Sequence, residues 1–163
     1  MTSDLARFER MRIDQVMTTN VKTCRQTDML DVAARLMWDF DIGAVPIIDD
    51  FRQVVGIVTD RDVCMAAFTQ RQPPHALPCT VAMSKHVVTC RPDDTDVAVA
   101  KLMAKNKIRR IPVVDDEQKP IGMVSLSDLA LAMATGLDVP AQEVAGTLAA
   151  ICEHRPIAPI VAA

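Results

Sequence analysis

Apolar and polar positions along the chain change period several times, and they do so twice in the same order. Residues 21–23 are a short β-branched run that predicts a strand. Residues 28–40 then place Met29, Ala33, Leu36, Met37 and Phe40 at helical spacing, which predicts one apolar helix face. Two β-rich runs follow at 44–48 and 54–59, separated by a polar stretch, and that arrangement predicts a hairpin. A second helix is predicted over 61–68. The same series returns as 87–89, 94–105, 111–114, 121–124 and 127–134, so each copy reads strand, helix, strand, strand, helix. Between the copies, residues 69–80 carry Pro73, Pro74 and Pro78, which speak against regular structure.

A direct comparison of the chain with itself makes the repeat explicit. A shift of 66 residues aligns 16–66 with 82–132 without a gap, and 17 of the 51 positions are identical. Random pairing at about 6% identity would give about 3. The identities include Met17 and Met83, Cys24 and Cys90, Pro46 and Pro112, Gly56 and Gly122, and Asp62 and Asp128. Two copies do not make a solenoid. A unit of about 60 residues buries only about 60% of its unfolded surface, so the copies are expected to pack sheet to sheet about a pseudo-two-fold axis. Beyond the second copy, Asp138 is placed to cap a helix reaching about Cys152, with Val144, Leu148 and Ile151 on one apolar side that needs cover. The apolar, proline-bearing tail 156–163 is expected to lie as an extended strap.

The most informative shared motif is Gly56-Ile57-Val58-Thr59-Asp60-Arg61-Asp62 and Gly122-Met123-Val124-Ser125-Leu126-Ser127-Asp128, a Gly-x-x-(Thr/Ser)-x-x-Asp at a strand-to-helix junction. One reading is structural: a hydroxyl N-cap with an acid three residues on is a capping box. The other is functional. Backbone N–H groups at a helix N-terminus attract an anion, the hydroxyl of Thr59 or Ser125 can donate to it, and a carboxylate one turn in can accept two hydrogen bonds from a ribose diol. The two readings are compatible. Pro46 and Pro112 inside strand runs belong at an edge, leaving nearby backbone free to meet an adenine edge.

Composition narrows the function classes. The 163 residues are 50% hydrophobic and 24% charged, with 18 basic against 21 acidic side chains. A net charge of −3 supplies no global positive field for nucleic acid or an anionic membrane. Only 3% of residues are aromatic, which removes the stacking platforms of single-strand binders. The charged first 17 residues do not read as a secretory leader, and no run approaches the roughly 20 apolar residues of a membrane span, so a soluble, cytoplasmic protein is expected. Five cysteines, an odd number, argue against a disulfide framework in that compartment, and their scatter with three histidines gives no metal-ligand spacing. No nucleophile elbow, phosphate loop or zinc-protease motif is present, so no enzymatic activity is expected.

Val16-Met17, the helix bearing Asp28, Ala34, Leu36 and Met37, the run Ile42-Gly43-Ala44-Val45-Pro46-Ile47-Ile48-Asp49 and the Gly56 to Asp62 motif together resemble a cystathionine β-synthase (CBS) domain. Their duplication is similar to a Bateman module, a tandem CBS pair. The resemblance implies an α+β fold of two repeats, 12–70 and 80–135, joined by a linker at 71–79 and followed by a C-terminal helix and tail at 136–163. It further implies a regulatory, nucleotide-binding module of the energy-sensing kind. An adenine nucleotide (AMP, ADP or ATP) or another adenosyl ligand would bind in clefts between the repeats, and the signal would pass by conformational change to a protein partner of unknown identity. Antiparallel homodimers are common in the family.

Carried over by position, the ribose-binding acids fall on Asp62 and Asp128, and the phosphate-side hydroxyls on Thr59 and Ser125. Phosphate-binding cations fall on Arg109 and Arg110, with Arg61 and Lys107 as further candidates. Val45 and Ile111, beside the strand prolines, are candidates for packing on the adenine, with simple core packing as the equal alternative. The first copy departs from this pattern, with Gly43 and Ala44 in place of the two arginines and Asp39 and Asp41 just before them. One dominant site is therefore expected. The competing readings are a ligand-independent scaffold and, supported only by Lys105, Lys107, Arg109 and Arg110, a nucleic-acid binder. The same cations also suit a solvated helix end.

Overall fold

Residues 10–137 and 139–153 are described by the computed structural model. In chain order they form β1 (Cys24–Arg25), α1 (Leu30–Asp39), β2 (Ala44–Ile48), β3 (Val54–Thr59), α2 (Asp60–Gln70), α3 (Asp96–Asn106), β4 (Arg110–Val114), β5 (Pro120–Ser125), α4 (Leu126–Ala134) and α5 (Ala141–Cys152). The first sheet runs β1-β2-β3, with β1 parallel and β3 antiparallel to β2. The second pairs β4 with β5. Both hairpins slip register at equivalent places, between Ile47 and Ile48 and between Val113 and Val114.

Both hairpins match their predicted spans closely, whereas the leading strands do not. The runs 21–23 and 87–89 lie just before the pairing point. Backbone meets β2 only at Cys24 and Arg25, and in the second copy a single parallel bridge joins Cys90 to Val113. β-branched side chains favour extended backbone, but a strand exists only where a partner's N–H and C=O groups are in reach. The first helix of each copy starts two residues later than predicted for a related reason. Asp28 and Asp94 turn their carboxylates back to accept from the backbone N–H of Arg25 and Arg91, each at 2.7 Å, and these turns hold the chain out of the helix. Pro46 sits in the middle strand rather than an edge strand, but one residue before the short β1 begins to pair.

Each copy completes the core of the other. Leu30, Ala33, Met37, Val45, Ile47, Val58, Val63 and Ala66 pack with Leu77 and Cys79 of the linker and with Met83 at the start of the second copy. Val99, Met103, Ile111, Val124 and Leu129 pack with Met11 and with Ile13 at the start of the first copy. The crossing contacts come in pairs offset by the repeat length. Ile13 N–H donates to Asp94 O at 2.9 Å and Cys79 N–H to Asp28 O at 2.8 Å. Thr18 bridges Met123 as Ser84 bridges Ile57. Reciprocal pairs of this kind are the signature of a two-fold relation, here within one chain.

Two glycines make that exchange possible. A Cβ at Gly56 would fall 2.7 Å from the sulfur of Met83, and one at Gly122 would collide with the sulfur of Met17. The linker is accordingly packed rather than loose, with short 3-10 turns at Pro74–Ala76 and Cys79–Val81 and with Leu77 and Cys79 buried.

α5 lies across α3 and α4. Its buried residues are Val144 and Thr147, with Ile151 half-buried, while Leu148 is 48% exposed and so does not belong to the predicted inward face. Thr147 is tolerated inside because its hydroxyl donates to the Ala100 carbonyl at 3.2 Å. Pro140 stands at the N-cap; Asp138 and the 156–163 tail lie outside the described residues. Among the described residues, no helix is long and apolar enough to cross a membrane.

Candidate functional site

The two Gly-x-x-(Thr/Ser)-x-x-Asp motifs form the same device. Thr59 and Ser125 end β3 and β5 in extended backbone, and the chain turns directly into α2 and α4. Asp62 Oδ2 accepts from the Thr59 N–H at 2.9 Å and the Thr59 hydroxyl at 2.7 Å. Asp128 Oδ2 does the same for Ser125, at 2.7 Å in both bonds. Each hydroxyl in turn accepts from the backbone N–H of its aspartate, at 3.3 Å and 3.1 Å. The capping box therefore exists in both copies, and it uses one carboxylate oxygen. Oδ1 of Asp62 and of Asp128 accepts no hydrogen bond from the described residues. A half-buried carboxylate with one oxygen fixed and the other open is pre-aimed for an external donor. The hydroxyls of Thr59 and Ser125 have given their single proton to that carboxylate, so neither is free to donate to an anion while the cap is closed.

Asp128 lines a shallow depression of about 260 Å³ together with Val16, Leu131, Ala132 and Thr135. Val16 comes from the start of the first copy, so this hollow is built from both copies. The motifs in the sequence did not assign Val16 or Thr135 to the site. The identity of Met17 and Met83 marked the segment as important, but that its neighbours serve the opposite copy is a tertiary fact.

Arg110 stands directly opposite Ser125 in the β4–β5 register. Its side chain reaches the other copy, where a Cβ on Gly43 would fall 2.7 Å from Nη2 and 2.9 Å from Cζ. Gly43 is thus less a lost cation than the space that another copy's cation occupies. The equivalent register partner of Thr59 is Ala44. Arg109 is exposed, and its carbonyl accepts from Leu126 N–H at 2.9 Å. Arg61 is also exposed, at the first turn of α2. Lys107 adopts left-handed backbone after α3 and its ammonium pairs with Glu153 at 3.2 Å, tying the end of α3 to the end of α5.

The two candidate base-packing positions lie in the cores. Val45 and Ile111 are fully buried, one in each core, paired in register with Val58 and Val124. On a pleated strand alternate side chains face opposite ways. Val45 and Ile111 face inward, whereas Ile57 and Met123, on the opposite face of their hairpins, are half-buried.

The CBS domain profile matches residues 13–68 and 80–135. The chain belongs to the CBS domain family. Among its relatives, YlbB of Bacillus subtilis (strain 168) is 36% identical over 125 residues, covering 76% of this chain and 83% of that protein. Another Bacillus subtilis protein, the CBS domain-containing protein YhcV, is 32% identical, covering 73% and 83%. Larger relatives include the homoserine O-acetyltransferase of Methanococcoides burtonii, of which this chain spans only 23% at 32% identity. Among solved structures, a CBS domain protein of Thermoplasma acidophilum superposes with a TM-score of 0.74 at 23% identity, covering 86% of this chain and 76% of that one. The CBS domain pair of protein MJ0100, solved in complex with 5′-methylthioadenosine and S-adenosyl-L-methionine, superposes with a TM-score of 0.69 at 25% identity, covering 77% and 98%. The CBS pair described above is thus the shared architecture, and its α+β fold of two repeats is that of these neighbours.

Proposed function

We propose that this CBS pair is a regulatory module that binds an adenosyl ligand, an adenine nucleotide or an S-adenosylmethionine-like compound, in the seam between its repeats. The observation that carries the reading is the open Oδ1 of Asp128 at the rim of a hollow completed by Val16. In this reading Asp128 accepts from the ribose diol, and the N-terminus of α4 and Arg110 meet the charged end of the ligand. A single guanidinium cannot serve two anions at full strength. The Arg110 side chain, shared across the seam at Gly43, therefore makes one cleft dominant over the other. Binding would bias the relative orientation of the repeats, and a protein partner would read the change. The adenosyl compounds in the MJ0100 complex support the ligand class.

The experiment is thermal melting with AMP, ADP, ATP, NAD, S-adenosylmethionine, 5′-methylthioadenosine and cyclic dinucleotides. A ligand at 100 times its Kd contributes about 2.7 kcal/mol and raises the melting temperature visibly. A flat response across the whole panel overturns the proposal.

A second part concerns assembly. Trp38 is 87% and Phe68 76% exposed on α1 and α2, and Met65 is exposed beside them, while the matching helices of the second repeat are covered by α5. Apolar exposure of this size on one helix pair favours a homodimer through that face. Trp38→Glu should convert a dimer to monomer in sedimentation; a wild-type chain that sediments as a monomer at all concentrations refutes it.

A further inference from the structure

Met17 and Met83 close the seam from opposite sides, each laying its thioether on a glycine of the other copy's hairpin, Gly122 and Gly56. The frame is the same in both places. Met17 N–H donates to Ile13 O and Met83 N–H to Cys79 O, each at 2.9 Å, and the following residue bridges the hairpin, Thr18 to Met123 and Ser84 to Ile57. A Cβ on either glycine would meet the sulfur, the γ-carbon and the β-carbon of the methionine, so each side chain runs closely along bare backbone.

The two seats differ in access. Met83 is buried in the first core, whereas Met17 is only half-buried against the second. Its neighbour Val16 lines the open hollow beside Asp128 and Thr135, so solvent comes within one residue of Met17. The nearby backbone donors are already engaged. The N–H groups of Met17, Thr18 and Met123 donate to the carbonyls of Ile13, Met123 and Thr18. An oxygen added to this sulfur would find no room over Gly122 and no unused donor among these three.

We propose that Met17 is a redox-modification site, at which a hydroperoxide converts the thioether to the sulfoxide, lifts residues 16–18 from Gly122 and loosens the second repeat. The sulfur lone pair attacks the peroxide, an S–O bond forms as the O–O bond breaks, and the proton of the transferred oxygen goes to the departing hydroxide or alkoxide. The sulfur is oxidised by two electrons and the peroxide is reduced. One thioether and one hydroperoxide thus give one sulfoxide and one alcohol (water, for hydrogen peroxide). The product is polar and chiral where the seat takes an apolar, flexible chain. A dithiol reductant reverses the step, the sulfoxide and two thiols giving the thioether, a disulfide and water. Elsewhere the same chemistry is silent or slow. Met29 and Met65 are exposed, so their sulfoxides stand in water, while Met11, Met37, Met83 and Met103 are closed in the cores.

The test treats the full-length protein with hydrogen peroxide at a dose that leaves most oxidised chains with a single sulfoxide. The sample is heated to its melting midpoint, soluble and aggregated chains are separated, and sulfoxides in each are mapped by peptide mass spectrometry. Met17 sulfoxide should form in the folded protein well before Met83 sulfoxide and should concentrate in the aggregated chains, whereas sulfoxides at Met29 and Met65 should divide evenly. At a dose that oxidises Met17 fully, the melting temperature should fall by at least about 2 °C and recover after methionine sulfoxide reductases A and B, one for each epimer. Met17→Leu, close to a volume-conserving swap, should keep its melting temperature under the same dose. An even split of Met17 sulfoxide, its absence from the folded protein, oxidation of Met83 at the same rate, or an equal fall in Met17→Leu would each overturn the proposal. The partition is read on the wild-type chain and so decides the matter even where the variant fails to fold.

Discussion

The two repeats share a pattern of chain folding and differ in what they place on it. Both end their second hairpin strand in a hydroxyl cap locked to an aspartate, both bring a methionine from the opposite segment onto a glycine, and both slip register at the same place. These are positions where geometry leaves little choice of side chain. The differences fall where geometry is permissive. Arg110 faces Ser125 where Ala44 faces Thr59, α5 covers α3 and α4 while α1 and α2 keep Trp38 and Phe68 in the open, and Val54 donates its N–H to Gln118 where the counterpart Pro120 has none to give. A duplicated fold can thus hold its frame while assigning charge to one half and an open apolar face to the other.

The largest expected effect tests whether the strand residues before the prolines serve the core or a ligand. Ile111→Ala should cost about 2–5 kcal/mol in urea unfolding, because a fully buried side chain leaves a cavity. Val45→Ala, equally buried but smaller, should cost less. If Ile111→Ala instead left stability unchanged and weakened only ligand, the burial argument would fail and the base-packing role would return.

Next in size is the contrast between the two acids. Asp128→Ala should weaken the adenosyl ligand by roughly ten- to hundredfold, the equivalent of losing charge-assisted hydrogen bonds of about 1.5–3 kcal/mol. Asp62→Ala should lower stability by a similar loss of its cap while moving affinity much less, because its side of the seam has Ala44 where the other has Arg110. Equal affinity losses, read by calorimetry, would mean two equivalent sites.

Thr147→Val isolates what α5 contributes to the second repeat. It keeps the shape, removes the hydroxyl that donates to Ala100, and should cost about 0.5–1.5 kcal/mol. No loss in urea unfolding would show that the bond adds nothing beyond the packing of Val144.

The repeat, its helices and hairpins were legible because short-range periodicity and a gapless 66-residue shift are properties of the chain itself. The capping boxes were legible for the same reason, since Thr59 to Asp62 and Ser125 to Asp128 are local. The exchange of segments was not. Met17 reads as part of its own copy, and only the fold shows it seated on Gly122 of the other. Burial of Val45 and Ile111 was hidden by the same limit. Alternation identifies two strand faces, but which one is closed depends on what the rest of the chain lays over them. Leu148 failed as a core residue because an apolar stripe tolerates rotation, and Thr147 found a carbonyl that no pattern of residues announces.

The smallest effect decides the role of Lys107. The sequence placed it among phosphate-binding cations, and the fold gives it Glu153 as a partner at 3.2 Å, with the lysine side chain 32% and the glutamate 70% exposed. A pair this open to water is worth about 0–1 kcal/mol and weakens with salt. Lys107→Met should therefore lower stability by less than about 1 kcal/mol at low salt, and Glu153→Gln should match it, the double variant adding little further. Under the phosphate assignment the two variants part company. Lys107→Met would weaken AMP, ADP or ATP while sparing adenosine, and Glu153→Gln, by freeing the ammonium, would strengthen them. Matching stability losses with unchanged nucleotide affinity would place Lys107 in the bracing of α5 against α3 and leave Arg110 as the cation of the seam.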